Sequence, residues 1–183
     1  YEESRLLEES IILSQLRNGD TDVFAEIIER YQMPIQRYLY RLIGDHDAVQ
    51  DLAQDTFIQA YKNILKTTQN ISLKSWLYRI ATNNALQLQR RNRILSIISL
   101  GQTGKRDIPD EDRSAQIFEN IAVKDTLRKV PYEQRICMVL HFMEGFKYRE
   151  IAETLGISEE AVRKRVTRGS DEFRRLYRSG GGV

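Results

Sequence analysis

Cysteine and histidine are scarce in this sequence, which has one cysteine, Cys137, and two histidines, His46 and His141, among 183 residues. A single cysteine excludes an internal disulfide and fits a reducing compartment. No apolar run is long enough to span a membrane, and no signal peptide is visible. We therefore expect a cytoplasmic location without direct membrane insertion.

The same scarcity limits the chemistry that the chain can perform. Cys137 and His141 are four residues apart on one expected helix, a spacing compatible with two metal ligands, but no second pair exists. A buried thiol near a packed or half-exposed imidazole is the preferred interpretation. No Ser/His/Asp or Cys/His set suited to nucleophilic catalysis is present, and no glycine-rich phosphate loop occurs. We predict that the protein is not an enzyme and has no metal, cofactor or small-molecule substrate.

Prolines are also few, three in all, and regular alternation of apolar and polar residues is hard to find. Both features favour an all-α fold. Apolar periodicity predicts helices over about Glu3–Arg17 and Thr21–Leu42, a third that starts at Asp45 or Asp47 and runs through Tyr61, and a fourth that Ser72 caps. Pro34 predicts a kink within the second helix. The formal net charge of +2 is close to neutral, so the distribution of charge along the chain is more informative.

Helical periodicity breaks between about Leu95 and Arg113, where glycines, a proline and an acidic patch accumulate. We interpret this stretch as a flexible interdomain linker. Its apolar first half could instead form a short helix that docks on a neighbour. The predicted organisation is two small helical domains, 1–95 and 116–178, with a linker at 96–115 and a tail or cloning remnant at 179–183.

The segment Tyr148–Tyr177 has the pattern of a helix-turn-helix. Gly156 can end the first helix in the left-handed conformation, and Ser158 can cap the second. The apolar stripe of the second helix comprises Val162, Val166, Gly169, Phe173 and Leu176. The remaining face carries Arg163, Lys164, Arg165, Thr167 and Arg168. Such a face can enter the DNA major groove, whereas the alternative is a solvated face of an ordinary bundle.

Charge changes sign between the third and fourth predicted helices. The outer face of the third is acidic, which repels nucleic acid and suits a protein partner or solvent. A metal site at these carboxylates is disfavoured, because no histidine or second carboxylate helix joins them. The segment from Lys74 to Arg93 contains no acid and mixes basic, aromatic and amide side chains, as nucleic-acid-binding surfaces do. Trp76 taken alone is more simply a core residue.

Several of these segments together resemble a known family. Asp47–Phe57 resembles the acidic core-binding helix of bacterial sigma factors, and Ser75–Asn84 followed by Arg90-Arg91 resembles their promoter-melting segment. Val130–Ile136 and Glu144–Ile157 are similar to their C-terminal domain. The order and spacing resemble those of the small two-domain group, the extracytoplasmic-function sigma factors.

The resemblance implies a subunit that binds core RNA polymerase, directs it to promoter DNA and helps to open the strands, under the control of an anti-sigma factor. The residues implied for core-polymerase binding are Asp47, Asp51, Gln54 and Asp55. Those implied for the minus-ten element are Asn70, Trp76, Tyr78, Arg79, Asn83, Asn84, Arg90 and Arg91. Those implied for the minus-thirty-five element are Ser158, Arg163, Lys164, Arg165, Thr167 and Arg168.

The sequence departs from the family pattern at Gln87, Glu160, Lys164 and Thr167, so it does not predict the promoter sequence. A free-standing helix-turn-helix regulator, whose N-terminal helices sense a ligand or dimerise, is the alternative. The acidic third helix followed by an acid-free fourth favours the sigma factor.

Overall fold

The computed structural model describes residues 2–66, 72–98 and 121–179, and its regular elements there are all helical. The helices are α1 (Glu2–Arg17), α2 (Asp22–Ile43), α3 (His46–Asn63), α4 (Leu73–Ile98), α5 (Ile121–Lys129), α6 (Tyr132–Met138), α7 (Tyr148–Leu155) and α8 (Glu159–Ser179). A π-helical turn, Val139–Met143, continues α6. The all-α prediction is confirmed. None of the helices in these described ranges is long and apolar enough to cross a membrane.

Helices α2, α3 and α4 pack on one another, and α1 lies against α2. Their shared core includes Ile35, Leu39, Leu77 and Ala81, which are fully buried. These residues recur at helical spacing on α2 and α4, so each helix buries one stripe. We refer to α1–α4 as the N-terminal helices.

The ends of these helices follow local signals in the sequence. The Asp45 carboxylate caps α3 by accepting from the backbone N–H groups of Asp47 and Ala48, at 3.0 and 3.1 Å. The Ser72 hydroxyl accepts from the Ser75 N–H at 3.1 Å and caps α4 as predicted. Pro34 does not divide α2, which continues as one helix through it.

Helix α4 extends further than the sequence indicated. It continues to Ile98, so Leu95 and Ile97 belong to its last turns rather than to a linker. No glycine or proline occurs between Leu73 and Gly101, so nothing in this stretch breaks the helix. The rest of the predicted linker, and the apolar residues Ile117 and Phe118, lie outside the described residues.

Helices α5, α6 and α7 all pack around α8, and we refer to α5–α8 as the C-terminal helices. Gly156 ends α7 with a φ of 66°, in the left-handed region that glycine adopts at low cost. Gly169 allows α8 to approach α6 closely, because a Cβ atom placed there would lie 2.6 Å from Sδ of Met138. The predicted helix-turn-helix is present.

The two groups of helices contact each other, which the sequence left open. Helix α4 packs against α7, and α2 packs against α5 and α6. Arg135 links the second pair, since its Nη1 donates to the Leu42 carbonyl at 2.8 Å. Its Nη2 donates to two further carbonyls, that of Arg128 and that of Val130, the latter at 3.0 Å. This one buried guanidinium therefore satisfies carbonyls in both groups.

Candidate nucleic-acid and polymerase interfaces

The first half of α8 presents the cationic face that the sequence predicted. Arg163, Lys164, Thr167 and Arg168 are all exposed. Arg163 and Lys164 are each paired one turn back, with Glu159 at 3.6 Å and Glu160 at 2.7 Å. Such exposed pairs are weak and give way to phosphate at little cost. Val162 and Val166 are buried on the opposite side and fix the orientation of this face.

Two predicted minus-thirty-five residues have structural contacts of their own. The Ser158 hydroxyl accepts from the Ala161 N–H at 3.1 Å and caps α8. Arg165 points toward α6 and pairs with Glu133 at 2.7 Å. Its side chain is half-buried, because position 165 flanks the apolar stripe. Arg165 is therefore less exposed than Arg163 and Lys164, and its contact with the minus-thirty-five element stays a prediction.

Helix α4 presents a second polar face without acidic residues. Asn83, Gln87, Arg90 and Arg91 are exposed and lie at i, i+4, i+7 and i+8, so they share one side of the helix. Amides and guanidinium groups at this spacing can contact successive phosphates or base edges along a strand. Asn83, Arg90 and Arg91 are the exposed members of the predicted minus-ten set among the described residues, and Gln87, which was not predicted to contact DNA, lies on the same face.

Three other members of that set are buried, so the structure contradicts their direct contact with DNA in this arrangement. Trp76 is a core residue, and Tyr78 is 1% exposed. Asn84 is 5% exposed, and its amide donates to the Thr56 hydroxyl and accepts from Gln59, at 3.2 and 3.1 Å. Its hydrogen-bonding groups are used within the helical bundle. Asn70 lies outside the described residues.

Tyr78 and Arg79 face the C-terminal helices instead of solvent. The Tyr78 hydroxyl donates to Oε2 of Glu144 at 2.6 Å. Burial and the adjacent Glu144 carboxylate raise the pKa of Tyr78, so the phenol remains a donor at neutral pH. The Arg79 guanidinium donates to the carbonyls of Thr154, at 2.9 Å, and Glu153, at the end of α7. A cation at a helix C-terminus complements the helix dipole.

The acidic face of α3 is separate from both cationic faces. Asp47, Asp51, Gln54 and Asp55 are all exposed along this helix. Beside them, α2 and α3 enclose an open groove of about 730 Å³. The groove is lined by Phe24, Ile28, Gln32, Gln36, Gln50, Ala53, Gln54, Phe57, Ile58, Tyr61 and Lys62. The lining joins apolar side chains with four glutamines and Lys62, and a groove of this kind suits an amphipathic helix of a protein partner.

Cys137 and His141 are both occupied in packing. Cys137 is buried, and burial raises the pKa of its thiol to about 11, which makes it unreactive at neutral pH. Nδ1 of His141 lies 2.9 Å from the Phe146 carbonyl oxygen, and the ring packs between Phe142 and Tyr148. Within the described residues, no group of three or more His, Cys, Asp or Glu side chains is placed to hold a metal ion.

The contacts between the two groups of helices were not predicted. Besides Tyr78 and Arg79, the residues that make these contacts include Arg41, Lys74, Arg135 and Glu144. Their partners lie up to 103 residues away in sequence. Glu144 precedes a glycine in a turn, a position that is usually solvated. The sequence indicated the burial of Arg135 only weakly, through its position directly before the apolar run from Ile136 to Leu140, which is buried.

An exposed cationic helix-turn-helix, joined to a helical bundle with an acidic, grooved face, defines a DNA-binding protein that also docks on another protein. Comparison with known families agrees: residues 27–94 match Sigma-70 region 2, and residues 121–171 match Sigma-70, region 4.

Similar proteins extend this match along most of the chain. The ECF RNA polymerase sigma factor SigW of Bacillus subtilis is 28% identical over 177 residues, which cover 91% of this chain and 95% of SigW. The ECF sigma factor SigE of Mycolicibacterium smegmatis is 30% identical over 153 residues, covering 81% of this chain and 59% of SigE. The chain belongs to the sigma-70 family of RNA polymerase sigma factors, in its extracytoplasmic-function group.

Two solved structures have the same fold. Sigma factor RpoE of Bartonella quintana, in complex with the anti-sigma factor NepR, superposes with a TM-score of 0.71 at 21% identity, over 85% of this chain and 96% of RpoE. CnrH, in complex with the cytosolic domain of CnrY, gives a TM-score of 0.70 at 22% identity, over 93% of this chain and 97% of CnrH.

Proposed function

We propose that this chain binds core RNA polymerase through the acidic face of α3, recognises promoters through the cationic faces of α4 and α8, and helps to open the DNA. The observation that supports this division most directly is the separation of charge on the surface. Asp51 and Asp55 are exposed on one helix, and Arg90 and Arg168 are exposed on two others. Like charge keeps DNA away from the first surface and attracts it to the others.

Polymerase docking would use more than charge. Ile58 and Tyr61 are large, about half exposed, and line the groove between α2 and α3. Apolar contacts in the groove supply affinity, while the surrounding carboxylates select a basic partner surface and speed encounter.

DNA recognition would be divided between the two groups of helices. Arg168 is exposed on the recognition helix, and a guanidinium there can bond a guanine bidentately in the major groove. Asn83 and Arg90 on α4 would contact the separated strand of the minus-ten element. Unstacking bases costs a few kcal/mol, which contacts to the strand and to polymerase offset.

An anti-sigma factor is the regulatory partner that we propose. One solved structure of this fold, the sigma factor RpoE, is a complex with the anti-sigma factor NepR, and CnrH was solved in complex with the cytosolic domain of CnrY. We also place the chain in the cytoplasm, where RNA polymerase acts, and assign it no catalytic activity of its own.

Run-off transcription tests the central proposal. Purified chain is mixed with core polymerase and a pool of promoter fragments, and transcripts are sequenced. A sigma factor gives transcripts from a defined subset of promoters, whereas a free-standing regulator gives none until another sigma factor is added. Asp51→Lys should abolish the transcripts, and Glu26→Lys, which makes the same charge change on an exposed site of α2 away from the groove, should not.

A further inference from the structure

Glu144 is held by side chains that all come from the N-terminal helices. It lies in the turn after the π-helical segment, and its side chain is only 9% exposed. Oε1 accepts from Nη1 of Arg41 at 2.8 Å, and Oε2 accepts from the Tyr78 hydroxyl at 2.6 Å. Nζ of Lys74 donates to the Glu144 backbone carbonyl at 3.0 Å. Each carboxylate oxygen thus has its own donor across the interface.

The residues that follow Glu144 extend the same contact. The Phe146 ring packs on Tyr78, with 5.1 Å between ring centroids, and Nζ of Lys74 lies 4.4 Å from the Phe146 centroid. Further along, the end of α7 accepts both hydrogen bonds of Arg79. The C-terminal helices therefore cover Tyr78 and Arg79 in the first two turns of α4, two of the residues predicted to contact the minus-ten element.

The packed arrangement is too short to span a promoter. Two elements centred about 25 base pairs apart are separated by about 85 Å at roughly 3.4 Å per base pair. A packed chain of this length has a radius of gyration of about 16 Å and is therefore only about 40 Å across. Binding both elements requires the two groups of helices to separate. Separation breaks the contacts of Glu144 and exposes Arg41, Lys74 and Tyr78.

Once Glu144 leaves, its former partners form a site for another anion. An arginine, a lysine and a phenol that hold a carboxylate also suit a phosphate oxygen, because both groups accept charge-assisted hydrogen bonds. Arg79, which binds the end of α7 in the packed arrangement, follows Tyr78 directly on α4. The position of the site beside the predicted minus-ten surface suits a phosphate of the DNA backbone.

We propose that Glu144 is an intramolecular latch, whose carboxylate fills a site made by Arg41, Lys74 and Tyr78 that a promoter DNA phosphate occupies after the two groups of helices separate. The proposal rests on the proposed function for the identity of the DNA. It makes the closed chain bind the minus-ten strand more weakly, because only Asn83, Arg90 and Arg91 of the predicted contacts on α4 stay accessible, while the recognition helix stays exposed. Competition between a carboxylate and a phosphate for one site then couples opening to DNA binding.

Single-molecule energy transfer measures opening directly. Dyes are placed on Glu29→Cys in α2 and Arg178→Cys in α8, both exposed sites, while the buried thiol of Cys137 stays unlabelled at neutral pH. In Glu144→Gln, the ratio of closed to open molecules should fall by about tenfold, the effect of losing one charge-assisted hydrogen bond. Glu153→Gln is the matched control, because it makes the same charge change on the exposed side of α7.

Binding to single-stranded DNA separates a latch from a merely structural residue. The probe is a random pool of strands about 12 nucleotides long, since phosphate contacts do not depend on sequence. Glu144→Gln should open the chain and bind the pool several-fold more tightly than Glu153→Gln. Arg41→Gln should also open the chain but bind the pool more weakly than wild type, because it removes part of the phosphate site. A misfolded variant would not produce these opposite changes.

The outcomes also distinguish this proposal from the proposed function. An unchanged closed fraction in Glu144→Gln overturns the latch, and equal DNA binding by Glu144→Gln and Arg41→Gln overturns the shared site. Run-off transcription by the same wild-type preparation reports on the proposed function separately. Promoter-specific transcripts together with an unchanged closed fraction would leave the sigma factor assignment standing and the latch refuted.

Discussion

Arg135 is the residue whose replacement should most clearly reveal how the two groups of helices depend on each other. In Arg135→Met the aliphatic stem is largely retained, but three carbonyls lose a donor: those of Arg128, Val130 and Leu42. A hydrogen bond from a charged group contributes about 1.5–3 kcal/mol. Removing the buried charge also relieves its desolvation cost, so we expect a net loss of about 2–4 kcal/mol.

The loss should be unequal between the two groups. Two of the three carbonyls belong to the C-terminal helices, and one belongs to the end of α2. Trp76 is the only tryptophan and is buried in the N-terminal helices, so its fluorescence reports on those helices, while circular dichroism reports on all of them. The unfolding temperature measured by circular dichroism should fall by about 4–16 °C, since one kcal/mol shifts a chain of 150–250 residues by roughly 2–4 °C. The fluorescence transition should shift less.

The control is Arg149→Met on α7. Arg149 is 82% exposed and makes one pair with Glu153 at 3.0 Å, so its loss should cost less than about 0.5 kcal/mol. If Arg135→Met unfolds at the same temperature as Arg149→Met, the three carbonyl contacts contribute nothing net, and the role assigned to Arg135 is wrong.

Three further predictions concern recognition, docking and pH. Arg168→Ala should weaken promoter binding by about 1–3 kcal/mol and relax the preference at one base pair. Arg174→Ala is the control and should do neither. Binding assays over a library of upstream sequences would refute the role of Arg168 if its loss weakened binding to all sequences equally. Asp51→Lys should lower affinity for core polymerase at least tenfold while upstream DNA binding is retained, and an unchanged affinity in a pull-down titration would contradict the docking assignment. Burial raises the pKa of Tyr38 above its ordinary value near 10. Above about pH 10 the unfolded chain therefore loses this proton while the folded chain keeps it, so the free energy of unfolding is highest below that pH. Above it, each such tyrosine should lower the free energy of unfolding by up to about 1.4 kcal/mol per pH unit. Tyr38→Phe should flatten that fall in denaturant titrations, and an equally steep fall would exclude Tyr38 as a cause.

The sequence predicted local features well because their causes are local. Ser72 and Ser158 cap the helices expected of them, and Gly156 ends α7 in the left-handed conformation. Each of these effects depends on neighbours within four residues. The buried stripe of α8 was predicted for the same reason, since helical spacing alone places Val162 and Val166 on one side.

The minus-ten residues were predicted less well, because their polar or aromatic character suggested DNA contact although the position of some of them on the helix indicated burial. Asn84 lies seven residues after Leu77 and three after Ala81, both fully buried, so periodicity already placed it in the apolar stripe. Its amide is satisfied by Thr56 and Gln59 from α3, partners that no local pattern indicates. Tyr78 is different, since its burial depends on Glu144 and Phe146, more than sixty residues away.

The arrangement of α8 bears on how relatives of this protein can diverge. The side chains that anchor the helix, Val162, Val166 and Gly169, are distinct from those that face outward, Arg163 and Arg168. Exchanges at the outward positions leave the interior packing untouched. New promoter preferences can therefore arise by drift on one side of a single helix, without a compensating change elsewhere in the protein.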